Sequence, residues 1–249
     1  MQRPSLKRLK FSLSKRFSRL TKHRYTVEKR MGVFYLIDQA NAVDQHLIAK
    51  GAWEQSQVDA LRRYIARYRV AGRRNVFLDI GAHGGLYSML MHGDQIFDAL
   101  IAFEPDPVNA AQLQANLFIN HLVGEVRLVQ AACTDKAGRV RFFAAAQKNR
   151  GMSRIEESTG LQGESMIDVE TLTVDSVVPD HGSLIVAKID VEGFELTALA
   201  GMEQVIANNT CLFQIESFAE QFPALNTWML ARGFSLLETV EHDHFYYKA

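Results

Sequence analysis

The chain has 249 residues, 47% hydrophobic and 22% charged, enough for one large α/β domain with an appendage. No apolar run approaches the roughly 18 to 20 residues that span a bilayer, and the two cysteines, Cys133 and Cys211, sit in apolar runs, which excludes a disulfide framework and a cysteine metal site and points to a reducing, cytoplasmic setting. The net charge of zero hides an asymmetry: residues 1–30 hold 11 Lys or Arg against the single acid Glu28, and the rest of the chain is net acidic by ten.

Within the basic tail, Leu6, Leu9, Leu13, Phe17 and Leu20 recur at helical spacing, with Lys7, Arg8, Lys10, Lys15, Arg16 and Arg19 filling much of the other face. Residues 1–27 could therefore lie on an anionic membrane or glycolipid at the inner membrane surface, dock on an acidic partner or a nucleic acid, fold back on the chain's own acidic domain, act as a transit peptide, or serve only as a solubilising tail. Residues 31–72 read as a helical cap. Short apolar pieces alternate with polar turns up to Ala52, and Ser56 to Val70 form a helix with Val58, Leu61, Ile65 and Tyr68 on one face. Such a cap covers either a substrate or only an edge of the sheet.

Residues 73–249 read as the ligand-binding domain. Val76 to Ile80 is a short apolar strand of the kind buried on both faces in a parallel sheet, followed by Gly81, Gly84 and Gly85 in a tight turn and by a helix start at Leu86. Ala99 to Phe103 is the next strand, with Glu104 at its carboxyl end, where a carboxylate accepts hydrogen bonds from both hydroxyls of a ribose. The dinucleotide fingerprint is not made, because its glycine positions hold Gly81, His83 and Leu86, and no phosphate loop is present. Asp79 places negative charge near the loop, which repels a pyrophosphate and attracts a cation. S-adenosylmethionine, with a sulfonium, an ammonium and no phosphate, fits those electrostatics.

Further on, Val108 to Ile119 is a helix, and Val126 to Ala132 a third strand whose end, at Ala131 and Ala132, borders the adenine. Gly138 to Ala145 and Met166 to Val174 alternate as half-exposed strands, and residues 147–165 between them form a surface loop, either a substrate-contacting lid or a plain solvated loop. Leu184 to Ile189 is the fourth buried strand, ending in Lys188-Ile-Asp190-Val-Glu192. A carboxylate or a lysine of lowered pKa there could take the proton of a methyl acceptor, which makes Asp190, Lys188 and Glu192 the catalytic candidates. Leu196 to Ile206 is a helix and Cys211 to Ile215 a strand with Glu216 at its tip. Asp190 and Glu216 are weak metal candidates; without a third ligand a divalent ion is not favoured. Ala224 to Arg232 is a helix, and a closing hairpin ends the sheet.

The run Asp79-Ile-Gly-Ala-His-Gly-Gly-Leu-Tyr-Ser88, with Phe103-Glu-Pro105, Asn116-Leu117, Asn120, Leu172-Thr-Val-Asp175 and Lys188-Ile-Asp-Val-Glu-Gly193, resembles the FkbM-type family of S-adenosylmethionine-dependent methyltransferases over roughly residues 30–249. The resemblance implies a doubly wound, Rossmann-like class I methyltransferase sheet of seven strands, the last antiparallel, and methylation of hydroxyls on sugars, glycans or natural products. His83 stands where that loop usually has asparagine, so cofactor affinity is expected to depend on pH near neutrality. The cofactor set expected on these grounds is Asp79, Gly81, Ala82, His83, Gly85, Tyr87, Glu104, Pro105, Ala131, Ala132 and Asp190. Two other readings stay open, an RNA-directed methyltransferase using the basic tail and a binding protein that keeps the cofactor without turnover. Against the first, the fourth strand lacks the Asn/Asp-Pro-Pro-aromatic block that grips a flipped base, so nucleic acid is not the favoured acceptor.

Overall fold

The computed structural model describes residues 24–144, 154–155 and 165–249. The amphipathic helix expected in the tail, and the 147–165 loop except for residues 154, 155 and 165, lie outside them.

The described chain opens with an antiparallel hairpin, β1 (Tyr25–Arg30) and β2 (Val33–Asp38), turned by Met31 and Gly32, both at positive φ as a tight two-residue hairpin requires. Tyr25 to Arg30 were grouped with the tail by charge, yet they pair residue by residue with β2. Charge counting does not see the period of two that turns Thr26, Glu28 and Arg30 to one face and Tyr25, Val27 and Lys29 to the other. Two helices follow, α1 (Ala42–Lys50) and α2 (Gln55–Tyr68), so the cap is a hairpin plus two helices and not helical throughout. Asn41 starts α1 by accepting the Val43 N–H at 3.1 Å, and Gly51 closes it in the left-handed conformation.

The remaining elements are β3 (Asn75–Ile80), α3 (Leu86–Gly93), β4 (Ala99–Phe103), α4 (Pro107–Ile119), β5 (Val126–Val129), β6 (Ala132–Cys133), β7 (Gly138–Ala144), β8 (Arg154–Ile155), β9 (Ser165–Leu172), β10 (Leu184–Ile189), α5 (Glu195–Ala200), α6 (Glu203–Asn208), β11 (Thr210–Glu216), α7 (Phe222–Ala231), β12 (Ser235–Val240) and β13 (Asp243–Lys248). Seven strands make the main sheet in the order β12-β13-β11-β10-β3-β4-β5, with β13 antiparallel to the parallel strand β11. This is the expected α/β fold, a doubly wound sheet whose last strand is antiparallel.

All six residues of β3 and of β10 are buried, which is why their sequences read as continuous apolar runs. Alternation still sorts them. Phe77, Leu184 and Val186 join the core under the cap, α3 and α4, whereas Val76, Leu78, Ile80, Ile185, Ala187 and Ile189 join the core under α5, α6 and α7. The chain order runs outward from β3 to β5 on one side and from β10 to β11 on the other. The switch point thus falls between β3 and β10, where a doubly wound sheet opens a crevice at its carboxyl edge.

Most expected boundaries move by a residue or two, and two elements are redivided. The third strand stops at Val129, and Ala132–Cys133 leaves it to pair with β9 in a second sheet, ordered β6-β9-β7-β8. The helix expected over Leu196 to Ile206 is broken into α5 and α6 around Gly201, where a Cβ would meet the Thr134 carbonyl oxygen at 2.1 Å. Among the described residues no helix is long and apolar enough to cross a membrane.

Candidate active site

A cavity of about 360 Å³ opens at the switch point, above the loop that joins β3 to α3. Of the residues expected from sequence to bind cofactor, Asp79, Gly81, Ala82, His83, Tyr87, Glu104, Pro105, Ala131, Ala132 and Asp190 all line it, as do Lys188, Glu192 and Glu216. Gly85 does not. It starts α3 at φ 78°, and a Cβ there would meet Leu113 at 2.8 Å, so its role is to seat the helix on α4.

The other loop glycines also answer to protein neighbours. A Cβ on Gly81 would sit 1.8 Å from the Asp190 carbonyl oxygen, and one on Gly84 would sit 1.9 Å from the Tyr35 hydroxyl of the cap. The loop is pinned between the tip of β10 and the cap before any ligand arrives. Its first two amides, Gly81 and Ala82, donate to the Phe103 carbonyl at 3.0 and 2.9 Å.

Glu104 stands at the tip of β4, 4% exposed: the His83 N–H donates to Oε2 and the Asp106 N–H to Oε1, both at 2.8 Å, and the Asn109 side chain adds a further hydrogen bond. Burial pushes its carboxyl up to about 8, with those two N–H groups pulling the other way. Each oxygen keeps a lone pair for a hydroxyl donor, so the residue fits the ribose role. Asp79, also buried, accepts the Ser88 N–H at 2.9 Å and the Ser88 hydroxyl at 2.7 Å through Oδ2, which anchors the first turn of α3. Burial raises its carboxyl too, opposed first by the charge of Lys188.

At the tips of β10 and β11 the arrangement is one of side chains. Lys188 reaches Asp190 Oδ2 at 2.5 Å. Burial would lower the lysine, but Asp190, Glu54, Tyr87 and Glu216 outweigh it and hold the ammonium well above its ordinary range. Beside these groups Lys188 is favoured in its protonated form, which suits a role in holding Asp190 better than the base role expected from sequence. Burial would raise Asp190, and Lys188 with a hydrogen bond from Glu216 more than offsets this, so Asp190 stays ionised. Glu216, pushed up by burial and by the Asp190 charge, holds the proton the pair shares. Glu192 brings a third carboxylate, one oxygen from each of the three lying within 4.8 Å of the others. The sequence reading named two of these ligands, and the fold adds the third, but Asp190 is already engaged by an ammonium and a proton.

The cap supplies what sequence reasoning missed. While α2 packs on the sheet, with Tyr64 against Phe245 and Tyr68 stacked 3.7 Å from Tyr247, the segment before it reaches the cavity through Asp44, Leu47, Trp53 and Glu54. The Tyr87 hydroxyl donates to Glu54 Oε2 at 2.9 Å and accepts from Gln214 Nε2 at 2.9 Å. Tyr87 thus presents its ring to the cavity while its hydroxyl ties the cap to β11. Asn41 Nδ2 lies 3.3 Å from His83 Nε2. Three non-glycine residues at positive φ, Glu54, His83 and Glu192, line this one cavity, a concentration of backbone strain typical of functional sites. The legible signal for α1 was Asn41 followed three residues later by Asp44, a helix-start pattern inside what reads as polar turns.

Residues 79–236 match the family model described as the methyltransferase FkbM domain. The methyltransferase sdnD of Sordaria araneosa is 27% identical over 157 residues, 51% of this chain and 60% of that protein. The 31-O-demethyl-FK506 methyltransferase FkbM of Streptomyces tacrolimicus is 29% identical over 157 residues, 52% of this chain and 60% of that one. The crystal structure of methyltransferase FkbM from Methylobacillus flagellatus KT has a TM-score of 0.50 at 16% identity, covering 82% of this chain and 52% of that chain, a likeness of fold. The chain spans 60% of the length of each of the two curated relatives it matches.

Proposed function

Because this chain belongs to the FkbM methyltransferase family, we propose that it is an S-adenosylmethionine-dependent O-methyltransferase acting on a hydroxyl of a sugar, a glycan or a small natural product. The observation that carries the reading is the acidic lining of the cavity: among the described residues Asp44, Glu54, Asp79, Asp190 and Glu192 line it, joined by Glu104 and Glu216 whose carboxyls burial raises, against the single lysine Lys188 and no arginine. A wall of this kind disfavours a diphosphate and favours a cationic nucleoside. One of the relatives is named for a 31-O-demethyl compound, which supports an oxygen acceptor.

When bound, S-adenosylmethionine supplies a methyl group on a sulfonium that reacts in line with an incoming nucleophile. Glu104 would accept from the ribose hydroxyls, the Gly81 to Gly84 backbone and Asp79 would border the methionine end, and Ala131 and Ala132 the adenine. Asp190, ionised and held in place by Lys188, would accept a hydrogen bond from the acceptor hydroxyl and orient its oxygen, with Glu192 beside it. A carboxylate of lowered pKa is a weak base, so most of the rate enhancement is assigned to placing acceptor and methyl group in line and in contact.

The test has two stages. Calorimetry should give micromolar or tighter binding of S-adenosylhomocysteine, and its absence sinks the cofactor reading. Mass spectrometry of an extract incubated with enzyme and methyl-labelled cofactor should then reveal labelled O-methyl products. Tight cofactor binding with no labelled product across glycan and small-molecule acceptors would leave a binding protein instead.

A further inference from the structure

The match to the family begins at Asp79, so the cap lies outside it, yet the cap carries a buried acid that borders the cavity and is only half satisfied. Asp44, on α1, is fully buried. Its Oδ2 accepts the Asp38 N–H at 2.7 Å and the Gln112 side chain at 2.9 Å, whereas Oδ1 has no hydrogen-bond partner among the described residues. A buried carboxylate oxygen without a donor is a costly thing to keep, and native structures fill such places with a donor.

The place is fixed from three sides. Asn41 starts α1 and lies against His83, which seats α1 beside the loop. The Tyr35 hydroxyl lies against Gly84, and the charges of both Asp44 and Asp79 act on it, so Tyr35, Asp44 and Asp79, all of which line the cavity, are near neighbours. Asn116 Nδ2 donates to the Gly84 carbonyl at 2.8 Å and its Oδ1 accepts the Leu36 N–H at 2.7 Å, which clamps β2 to the loop through α4. Asp79 already has one oxygen engaged twice by Ser88. The cavity is thus bordered on its cap side by a firmly held carboxylate, one oxygen of which has no partner among the described residues.

We propose that Asp44 binds the α-ammonium of the methionine end of S-adenosylmethionine, making the cap a part of the cofactor site. This rests on the cofactor reading above. The ammonium brings three donors and a full positive charge, and a charge-assisted bond to Oδ1 would satisfy the orphan acceptor.

The experiment is a two-by-two calorimetric comparison on the full chain at pH 7.5. Its ligands are S-adenosylhomocysteine and the analogue whose α-amino group is replaced by hydrogen, and its proteins are wild type and Asp44→Asn. Wild type should bind the deaminated analogue about tenfold or more weakly, while Asp44→Asn should bind both ligands alike. Wild type that does not distinguish the ligands, or Asp44→Asn that keeps the same preference, overturns the assignment. Should Asp44→Asn fail to fold, Asp44→Ser is judged by the same ratio. Wild type that binds neither ligand overturns the cofactor reading itself, a result distinct from equal binding of both.

Discussion

The two acids that matter most at this sheet edge are held in opposite ways. Glu104 is positioned chiefly by two backbone N–H groups, and burial pushes its carboxyl up to about 8. Asp190 is positioned by side chains, the Lys188 ammonium and the Glu216 carboxyl, and is pushed down. Backbone donors are set by the fold itself, whereas side-chain donors are lost with a single substitution, here in Lys188 of the same strand or Glu216 of the neighbouring one. The first acid should tolerate distant substitutions and answer to pH, and the second should resist pH and fail when a partner is removed.

The largest effect is expected from breaking the second arrangement. Asp190→Asn leaves the Lys188 ammonium, 7% exposed, without its principal counter-charge, a change that costs on the order of 3–5 kcal/mol of stability. Adding Lys188→Met should return most of that stability without returning methyl transfer. Denaturant melts and turnover measured on the same two variants separate the outcomes. Recovery of activity in the double variant would remove Asp190 from the chemistry.

Breaking the first arrangement should leave stability nearer wild type and empty the cofactor site. Two hydroxyl donors on a charged acceptor contribute roughly 1.5–3 kcal/mol each, so Glu104→Ala is expected to weaken S-adenosylhomocysteine by about 100-fold or more by calorimetry. Unchanged affinity would contradict the ribose role.

The pH response separates the two acids further. With a folded-state carboxyl near 8 and an ordinary value near 4.5, Glu104 binds a proton in the folded protein that the unfolded chain has released, so its contribution to stability fades as pH rises from about 4.5 to about 8. Asp44 and Asp243, raised to about 6 and about 7 by burial, add to the same slope. Hydroxyl donors favour the ionised carboxylate, so cofactor affinity should change in the opposite sense, rising about tenfold between pH 7 and 9 and then levelling. Glu104→Gln should flatten the affinity profile and make the stability slope shallower. A Glu104→Gln profile as steep as wild type would transfer the titration to another group.

The same contrast explains what the sequence could show. β3, β4, β10 and β11 were legible because a strand buried on both faces is a local apolar run, and Glu104, Asp190 and Glu216 because they follow such runs at the carboxyl edge. Asp44 and Glu54 were not, because nothing local distinguishes an acid that meets Gln112 or Tyr87 from one that faces water. The glycines were legible as a tight loop but not in their reason, since the atoms that exclude a Cβ come from Asp190, Tyr35 and Leu113. The charge of Lys188 was not legible either, because besides its chain neighbour Asp190 the groups that raise it, Glu54, Tyr87 and Glu216, come from elsewhere in the fold.

Tyr87 lies between the two regimes and gives the finest discrimination. Sequence placed it among the cofactor ligands, and its ring does border the cavity with the Lys188 ammonium 5.2 Å from its centroid, but its hydroxyl joins Glu54 of the cap to Gln214 of the sheet. Tyr87→Phe keeps the ring and removes the tie. If the hydroxyl serves the scaffold, the loss is about 1 kcal/mol, a fall in Tm of roughly 2–4 °C for a chain of this size, with S-adenosylhomocysteine affinity within about twofold. An affinity loss of about tenfold at unchanged Tm would make the hydroxyl a ligand contact, and the cap would then owe its position over the loop to Asn41, Tyr35 and Asn116 without it.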